Sequence, residues 1–221
     1  MFLLLIVFIK WKLNWKELIY SSSRMLVQLL LIGYLLNAIF SQESLFWTSL
    51  ILIVMLISSS WISLQVIKKY RKKFFFKALA ALFLGSLPIL FLTVIFVIPS
   101  NGHWYQPSFL IPLAGMVFSN SMNTLSLSAE RFFREKNNNE NEMTEAKKTA
   151  LSTSLIPQMN RFLAVGLVAL PGIMTGQILS GVDPLLAVRY QIVIMTMIMG
   201  ASGLSAAIFL EWMTQNPPTV N

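Results

Sequence analysis

The chain lacks cysteine, has one histidine and carries few charges, since Asp, Glu, Lys and Arg make up 12% of its 221 residues. Without cysteine it has no disulfide framework, no thiolate metal site and no catalytic thiol. It contains no G-x-x-x-x-G-K-[ST] motif for binding ATP and no H-E-x-x-H motif for zinc. A soluble domain carries about twice this share of charge. These absences argue against a water-soluble enzyme and a secreted disulfide-rich domain.

Apolar residues make up 56% of the chain and occur in long runs. A helix needs about 20 mainly apolar residues to cross the roughly 30 Å hydrocarbon core of a bilayer. The sequence therefore predicts an all-α integral membrane protein, a single polytopic domain over residues 1–221 with about seven transmembrane helices. The predicted spans are a short, partial one at 1–9, then 23–40, 44–65, 75–98, 107–127, 160–180 and 186–210, with a cytoplasmic loop at 128–159.

The distribution of positive charge predicts the orientation. All 17 Lys and Arg residues except Arg189 fall in the predicted loops, or at the span edges, of one side. Basic loops stay cytoplasmic, so we expect the N-terminus outside and the C-terminus inside a multi-pass protein of the cell membrane. The basic residues that give the chain its net charge of +8 then lie at the surface of the lipid bilayer. The charge is thus explained without a nucleic-acid partner, and none is expected.

Polar residues inside the predicted spans indicate a substrate pathway. Asn120 and Asn123 share one helical face with Met116 and Leu127. This face either lines a hydrated route or hydrogen-bonds to neighbouring helices, and Gln28 poses the same choice. In the sixth span, Pro171 predicts a kink or break, which would expose polar groups at membrane depth as transporters do. The alternative is a Pro-kinked packing helix. The pathway candidates are Gln28, Asn120, Asn123, Pro171, Gly172, Thr175, Gly176 and Gln177.

Three further polar residues enter the last predicted span from the outside and are candidates for an outer gate: Asp183, Arg189 and Gln191. Arg189 can extend its charge to the membrane surface, pair with Asp183, or guard the gate. His103 lies beside Trp104 and Tyr105 and is interpreted as an interfacial residue. No metal site, catalytic residue or cofactor is predicted.

The run GLVALPGIMTGQILSGVDPLLAVRYQIVIM (166–195) resembles the signature of FetB-type permeases, a family of ABC-transporter membrane subunits associated with iron export. The runs IPLAGMVFSNSMNTLSL (111–127) and RMLVQLLLIGYLL (24–36) are similar to the fifth and second spans of that family. The resemblance covers residues from about 15 to 210. It implies a seven-span, homodimeric permease that exports iron or a small solute and works with a separate cytoplasmic ABC ATPase.

The chain departs from the family in the segment before Leu155. Family members carry a longer cytoplasmic segment there, with an Ala-rich helix and a Gly-Ala-Ser/Thr turn that resembles an ATPase-docking element. Here the segment is shortened and the Asn/Glu-rich run 136–146 replaces it. It is interpreted either as a solvated linker or as an ATPase-docking site. The docking candidates are Arg131, Arg134, Lys147 and Lys148.

Other functions and other substrates remain open at this stage. A secondary transporter or channel that needs no nucleotide would require a coupling carboxylate in a span, and the spans contain none. A non-transporting membrane partner is the third possibility. An iron site built from Asn, Gln and backbone oxygens would be weak, and an anionic solute that meets Arg189 fits the sequence equally well.

Overall fold

The protein is described here by a computed structural model, which covers residues 2–40, 44–96, 106–138 and 143–215. Within these ranges the secondary structure is helical apart from one β-bridge between Val165 and Ala169, so the all-α prediction is confirmed. The α-helices are α1 (Phe2–Lys10), α2 (Trp15–Phe40), α3 (Leu45–Ser63), α4 (Arg71–Phe96), α5 (Pro107–Asn138), α6 (Met143–Ala164), α7 (Gly172–Leu179) and α8 (Pro184–Gln215), and a 3-10 helix occupies Leu64–Tyr70.

The chain divides into two units, residues 1–44 and 45–221. In the first unit, α1 contacts α2 across a short turn. Asn14 and Glu17 cap α2 reciprocally: the backbone N–H of Glu17 donates to Asn14 Oδ1 at 3.3 Å, and Asn14 Nδ2 donates to Glu17 Oε2 at 3.2 Å. The first bond satisfies a backbone donor that the first helical turn leaves free, and the second joins the two side chains. The helix therefore begins at Trp15, earlier than the predicted span start at residue 23.

Within the described ranges, three helical stretches are long and apolar enough to cross a membrane: Trp15–Leu36, Leu45–Ile95 and Pro184–Thr214. The middle stretch contains α3, the 3-10 helix and α4, and α3 packs against α4. Arg71 ties the end of this pair together, because its Nε donates to the backbone oxygen of Trp61 at 2.9 Å and its guanidinium stands 3.8 Å from the Trp61 ring centroid.

The core of the second unit forms where α4, α5 and α8 pack together. Three buried serines meet there, one from each helix: Ser86 Oγ donates to Ser121 Oγ at 3.1 Å and lies 3.0 Å from Ser205 Oγ. The hydroxyls satisfy one another, so polar groups are buried without losing hydrogen bonds. Gly85, the neighbour of Ser86, lets α4 approach the backbone of α8 closely.

The segment predicted as a cytoplasmic loop at 128–159 is largely helical in the described ranges. Residues 139–142, in the middle of the Asn/Glu-rich run, lie outside those ranges, and the choice between linker and docking site stays open. α5 continues to Asn138, and α6 begins at Met143. Ion pairs between Glu130 and Arg134 and between Arg131 and Glu135 are spaced four residues apart, which stabilises a polar helix. Phe132 is fully buried on the same stretch, which anchors the extension of α5 to the core.

The sixth predicted span, 160–180, is two helices separated by an irregular stretch at residues 165–171. Gly166 has a φ of +80°, a conformation that glycine adopts readily and other residues rarely do. Pro171 stands at the N-cap of α7 with φ −61° and ψ 140°. The break predicted at Pro171 is present, but it begins after Ala164. The alternative of a continuous, Pro-kinked helix is therefore wrong.

Candidate functional site

Asn120 lies near the middle of α5 and is the common acceptor of a polar cluster. Its Nδ2 donates to the backbone oxygen of Met116 at 2.8 Å, which turns Oδ1 towards α6. Gln158 Nε2 donates to this Oδ1 at 3.0 Å, and the guanidinium of Arg161 donates to the same oxygen. Arg161 also lies 3.5 Å from Gln158 Oε1. We call Asn120, Gln158 and Arg161 the amide–arginine cluster.

The two α6 members of this cluster were not among the predicted site residues. Gln158 was not singled out, and Arg161 was counted with the basic residues of the cytoplasmic side. In the structure Arg161 is a helical residue that contacts the middle of α5. The sequence did indicate that these two residues act together. Gln158 and Arg161 are three positions apart just before an apolar run, and residues at that spacing share a helical face.

Two cavities meet at the amide–arginine cluster, whose three residues line both of them. The small cavity has a volume of about 300 Å³ and lies between α5 and α6, with Asn123, Ser126 and Ser154 in its wall. The large cavity has a volume of about 520 Å³ and extends to α8 and to the break before α7, with Pro171 and Gly172 in its wall. The cluster therefore stands at the junction of the two cavities.

The rest of the large cavity is mainly apolar. Its wall contains Met116, Phe162, Ile173, Ile194, Met195 and Ile198. One further polar side chain lines it, Gln191 of α8, which is 8% exposed. The Oε1 atom of Gln191 is buried and has no hydrogen-bond partner among the described residues. A buried acceptor without a donor is costly, so Gln191 is a candidate for contact with a solute in the cavity.

The remaining gate candidates have different environments. Asp183 Oδ1 accepts the backbone N–H groups of Leu185 at 2.9 Å and Leu186 at 3.1 Å, so this side chain caps the N-terminus of α8. Arg189 is exposed on α8. The ion pairs of the described residues do not include Asp183 with Arg189, and the pairing alternative is therefore wrong.

The capping role of Asp183 predicts how two substitutions differ. Asp183→Ala should cost about 1 kcal/mol of folding free energy, whereas Asp183→Asn should cost only a few tenths, because Asn caps as well as Asp. Thermal unfolding of the purified protein in detergent measures both. If Asn proved as destabilising as Ala, the charge of Asp183 would matter and the capping assignment would be incorrect.

Comparison with known proteins places the chain in a family. It matches the UPF0014 family, described as an uncharacterised protein family, over residues 1–216. The chain is a member of the UPF0014 family. A UPF0014 membrane protein of Synechocystis sp. is 32% identical over 90% of this chain and 84% of the relative. No solved structure matches the chain.

Two other relatives carry more specific names. The probable iron export permease protein FetB of Escherichia coli is 28% identical over 87% of this chain and 78% of its own length. Protein ALUMINUM SENSITIVE 3 of Arabidopsis thaliana is 31% identical over 89% and 76%. The resemblance to FetB-type permeases is thus confirmed, and this UPF0014 member is a multi-pass membrane protein.

Several sequence-predicted residues of this UPF0014 member lie outside the two cavity walls of the second unit. Thr175 and Gly176 belong to α7, where Thr175 Oγ1 donates to the backbone oxygen of Pro171 at 3.1 Å. Gln177 follows them, and its buried Oε1 has no partner in the described part of the chain. Gln28 is an exposed residue of α2 in the first unit. Their part in a substrate pathway stays a prediction.

The four ATPase-docking candidates all form ion pairs within the UPF0014 chain. Lys147 Nζ lies 2.7 Å from Glu211 Oε2 and so joins α6 to α8, whereas the other three pair with carboxylates of their own helix at 2.6 Å. Exposed pairs of this kind contribute about 0–1 kcal/mol, so a partner protein can exchange them easily. Their docking role stays a prediction. His103 lies outside the described residues, which contain no cluster of His, Asp and Glu able to hold a metal ion.

Proposed function

We propose that this UPF0014 member is the membrane permease subunit of an ABC-type transporter that exports a metal ion or another small solute. A separate cytoplasmic ATPase supplies the energy, and two copies of the chain form the permease. The observation that carries the proposal is the large cavity, because it joins Asn120 to the broken helix at Pro171 and Gly172. Interrupted helices that border a cavity are typical of transporter binding sites.

The position of the amide–arginine cluster supports a role in solute passage. At about 1.5 Å per residue, Asn120 lies about 20 Å along α5 from Pro107 and about 27 Å from Asn138. Arg161, an exposed residue that contacts Asn120, therefore places a charge near the middle of α5, and ionisable residues within membrane-spanning segments are usually functional. A solute that moves between the two cavities must displace the hydrogen bonds that Gln158 and Arg161 donate to Asn120. We infer that the cluster is the constriction of the pathway.

The similarity to FetB supports the assignment to transport, and the charge distribution supports the orientation. With the basic segments on the cytoplasmic side, the N-terminus is outside and the C-terminus inside. The polar end of α5 and the start of α6, which hold Arg131, Arg134, Lys147 and Lys148, then face the cytoplasm, where an ATPase can bind them.

The test is reconstitution of the chain in proteoliposomes with a cytoplasmic ABC ATPase that co-purifies with it. We expect ATP-dependent solute transport, and we expect the transported solute to stimulate ATP hydrolysis. Transport at the same rate in ATP-free vesicles would instead indicate a secondary transporter or channel. Failure to recover any ATPase, together with no transport, would indicate a non-transporting membrane partner.

A further inference from the structure

The described walls of the two cavities carry positive charge. Of the lining residues within the described ranges, Arg161 is the one ionisable residue, and it lines both cavities. The acceptors it contacts are neutral amide oxygens of Asn120 and Gln158, and no described carboxylate forms an ion pair with it. Arg161 is an exposed residue of α6 whose guanidinium borders both cavities. An arginine without an anionic partner favours a carboxylate or phosphate, which it binds with two parallel hydrogen bonds.

The same walls are poor ligands for a bare metal cation. Among the residues that the structure describes, these walls hold no carboxylate, imidazole or thiolate, and their sulfur atoms are the thioethers of Met116 and Met195. Divalent metals bind carboxylate, imidazole or thiolate groups in proteins, and the guanidinium of Arg161 repels a free cation. The chemistry of the site therefore points away from an uncomplexed metal ion.

Two more features narrow the class of ligand. The wall beyond Arg161 is largely apolar, so a ligand must bury a hydrophobic body there. The unpaired Oε1 of Gln191 needs an N–H or O–H donor. We propose that the large cavity binds an amphipathic organic anion, with its acid group on Arg161, its apolar body on the α8 wall and a donor on Gln191. This inference rests on the proposed permease function and names its substrate class.

The probes are three phenylalanine derivatives of different charge. N-acetylphenylalanine has an acid, an amide N–H and an aromatic body, N-acetylphenylalaninamide is neutral, and phenylalaninamide is a cation. Binding of the radiolabelled compounds to the full chain in phosphatidylcholine nanodiscs is measured at equilibrium. We expect saturable binding of the acid, about tenfold weaker binding of the neutral amide and no saturable binding of the cation.

Variants of the chain test the role of each group. Arg161→Gln should weaken binding of the acid about tenfold or more, and Arg161→Lys should lose less because it retains the charge. Gln191→Leu should weaken binding of the acid several-fold while Arg161 stays in place. This variant keeps the proposal testable if the arginine variants fail to fold. The matched control is Lys72→Gln on α4, an exposed residue outside both cavity walls, which should bind as the parent does.

The anion could be a lipid headgroup or a soluble molecule, and nanodiscs of phosphatidylglycerol distinguish the two. If an anionic headgroup is the natural ligand, this lipid should compete with the acid and weaken its binding to the parent chain. If the ligand is a soluble anion, the lipid should make no difference. Either result supports an anion site at Arg161.

Three results would overturn the inference: equal binding of acid and cation, an unchanged affinity in both Arg161→Gln and Gln191→Leu, or saturable binding of Mn²⁺ alone that Arg161→Gln leaves unaltered. The binding assay needs neither ATP nor a partner. Binding of the acid without any transport would therefore contradict only the permease proposal, and ATP-driven transport without binding of the acid would contradict only the anion site.

Discussion

A single methyl group added at Gly85 is expected to lower the melting temperature of the protein sharply. A Cβ atom built at this position would clash with Ser205 Oγ and would lie 2.5 Å from Ser205 N and 2.6 Å from Ser205 Cα. The hydroxyl can rotate away, but the other two atoms are backbone, so α4 and α8 must separate. Overpacking costs about 1–3 kcal/mol in ordinary cores. We expect Gly85→Ala to lower the folding free energy by at least the upper end of this range.

The control is Gly203→Ala, on α8 two residues before Ser205. The nearest atom to its added Cβ is Leu155 Cδ2 at 3.8 Å, which is ordinary van der Waals contact. Because Ala favours helices over Gly by up to about 1 kcal/mol, this variant should be neutral or more stable. Thermal unfolding in detergent, followed by size exclusion, measures both.

A second substitution tests the cause of the Gly85 effect. Ser205→Gly removes the hydroxyl but leaves the two backbone atoms, so it should not restore the stability of Gly85→Ala. The proposed close packing of α4 on α8 would be incorrect if Gly85→Ala melted as high as Gly203→Ala.

Asn120→Leu is expected to reduce transport more than tenfold. The substitution removes the oxygen that accepts hydrogen bonds from both Gln158 and Arg161. Gln158 is only 5% exposed, so its amide loses a partner that water cannot readily replace, at about 1–3 kcal/mol. The freed guanidinium can then turn into either cavity, which alters the constriction between them. ATP-dependent transport and melting temperature are measured on the same preparation.

Asn123→Leu is the matched control for stability. Asn123 follows on α5, is exposed and lines the small cavity, but makes no hydrogen bond with the amide–arginine cluster. Its replacement should change the folding free energy by about 0.5 kcal/mol or less. Equal effects of the two substitutions on transport and on melting would count against a constriction centred on Asn120.

Asn120→Asp separates the hydrogen bond from the charge. It retains an oxygen that can accept from Gln158 and Arg161, so the protein should melt closer to the parent than Asn120→Leu does. It also supplies the anion that Arg161 lacks, and therefore should compete with an acidic ligand and weaken its binding. Unchanged binding of N-acetylphenylalanine to Asn120→Asp would show that Arg161 does not hold the acid group.

Features that depend on residues adjacent in the sequence could be predicted from the sequence. The apolar runs predict helices because the hydrocarbon core holds no water, so each backbone N–H and C=O must be hydrogen-bonded within the segment. Pro171 predicts an interruption because it lacks a backbone donor. The cap at Asp183 was equally local, since Asp before Pro184 is a typical helix start, yet the sequence interpretation assigned it to a gate.

Features that depend on contacts between helices could not be predicted from the sequence. Gln158 and Arg161 meet Asn120 across separations of 38 and 41 residues, and the periodicity of one helix does not specify which face of another helix it meets. The helical extension of α5 beyond residue 127 likewise depends on the burial of Phe132 in the core. Local chemistry therefore predicts helices, breaks and the side of the membrane, whereas tertiary packing decides that the arginine beside Asn120 is Arg161 and not Arg189.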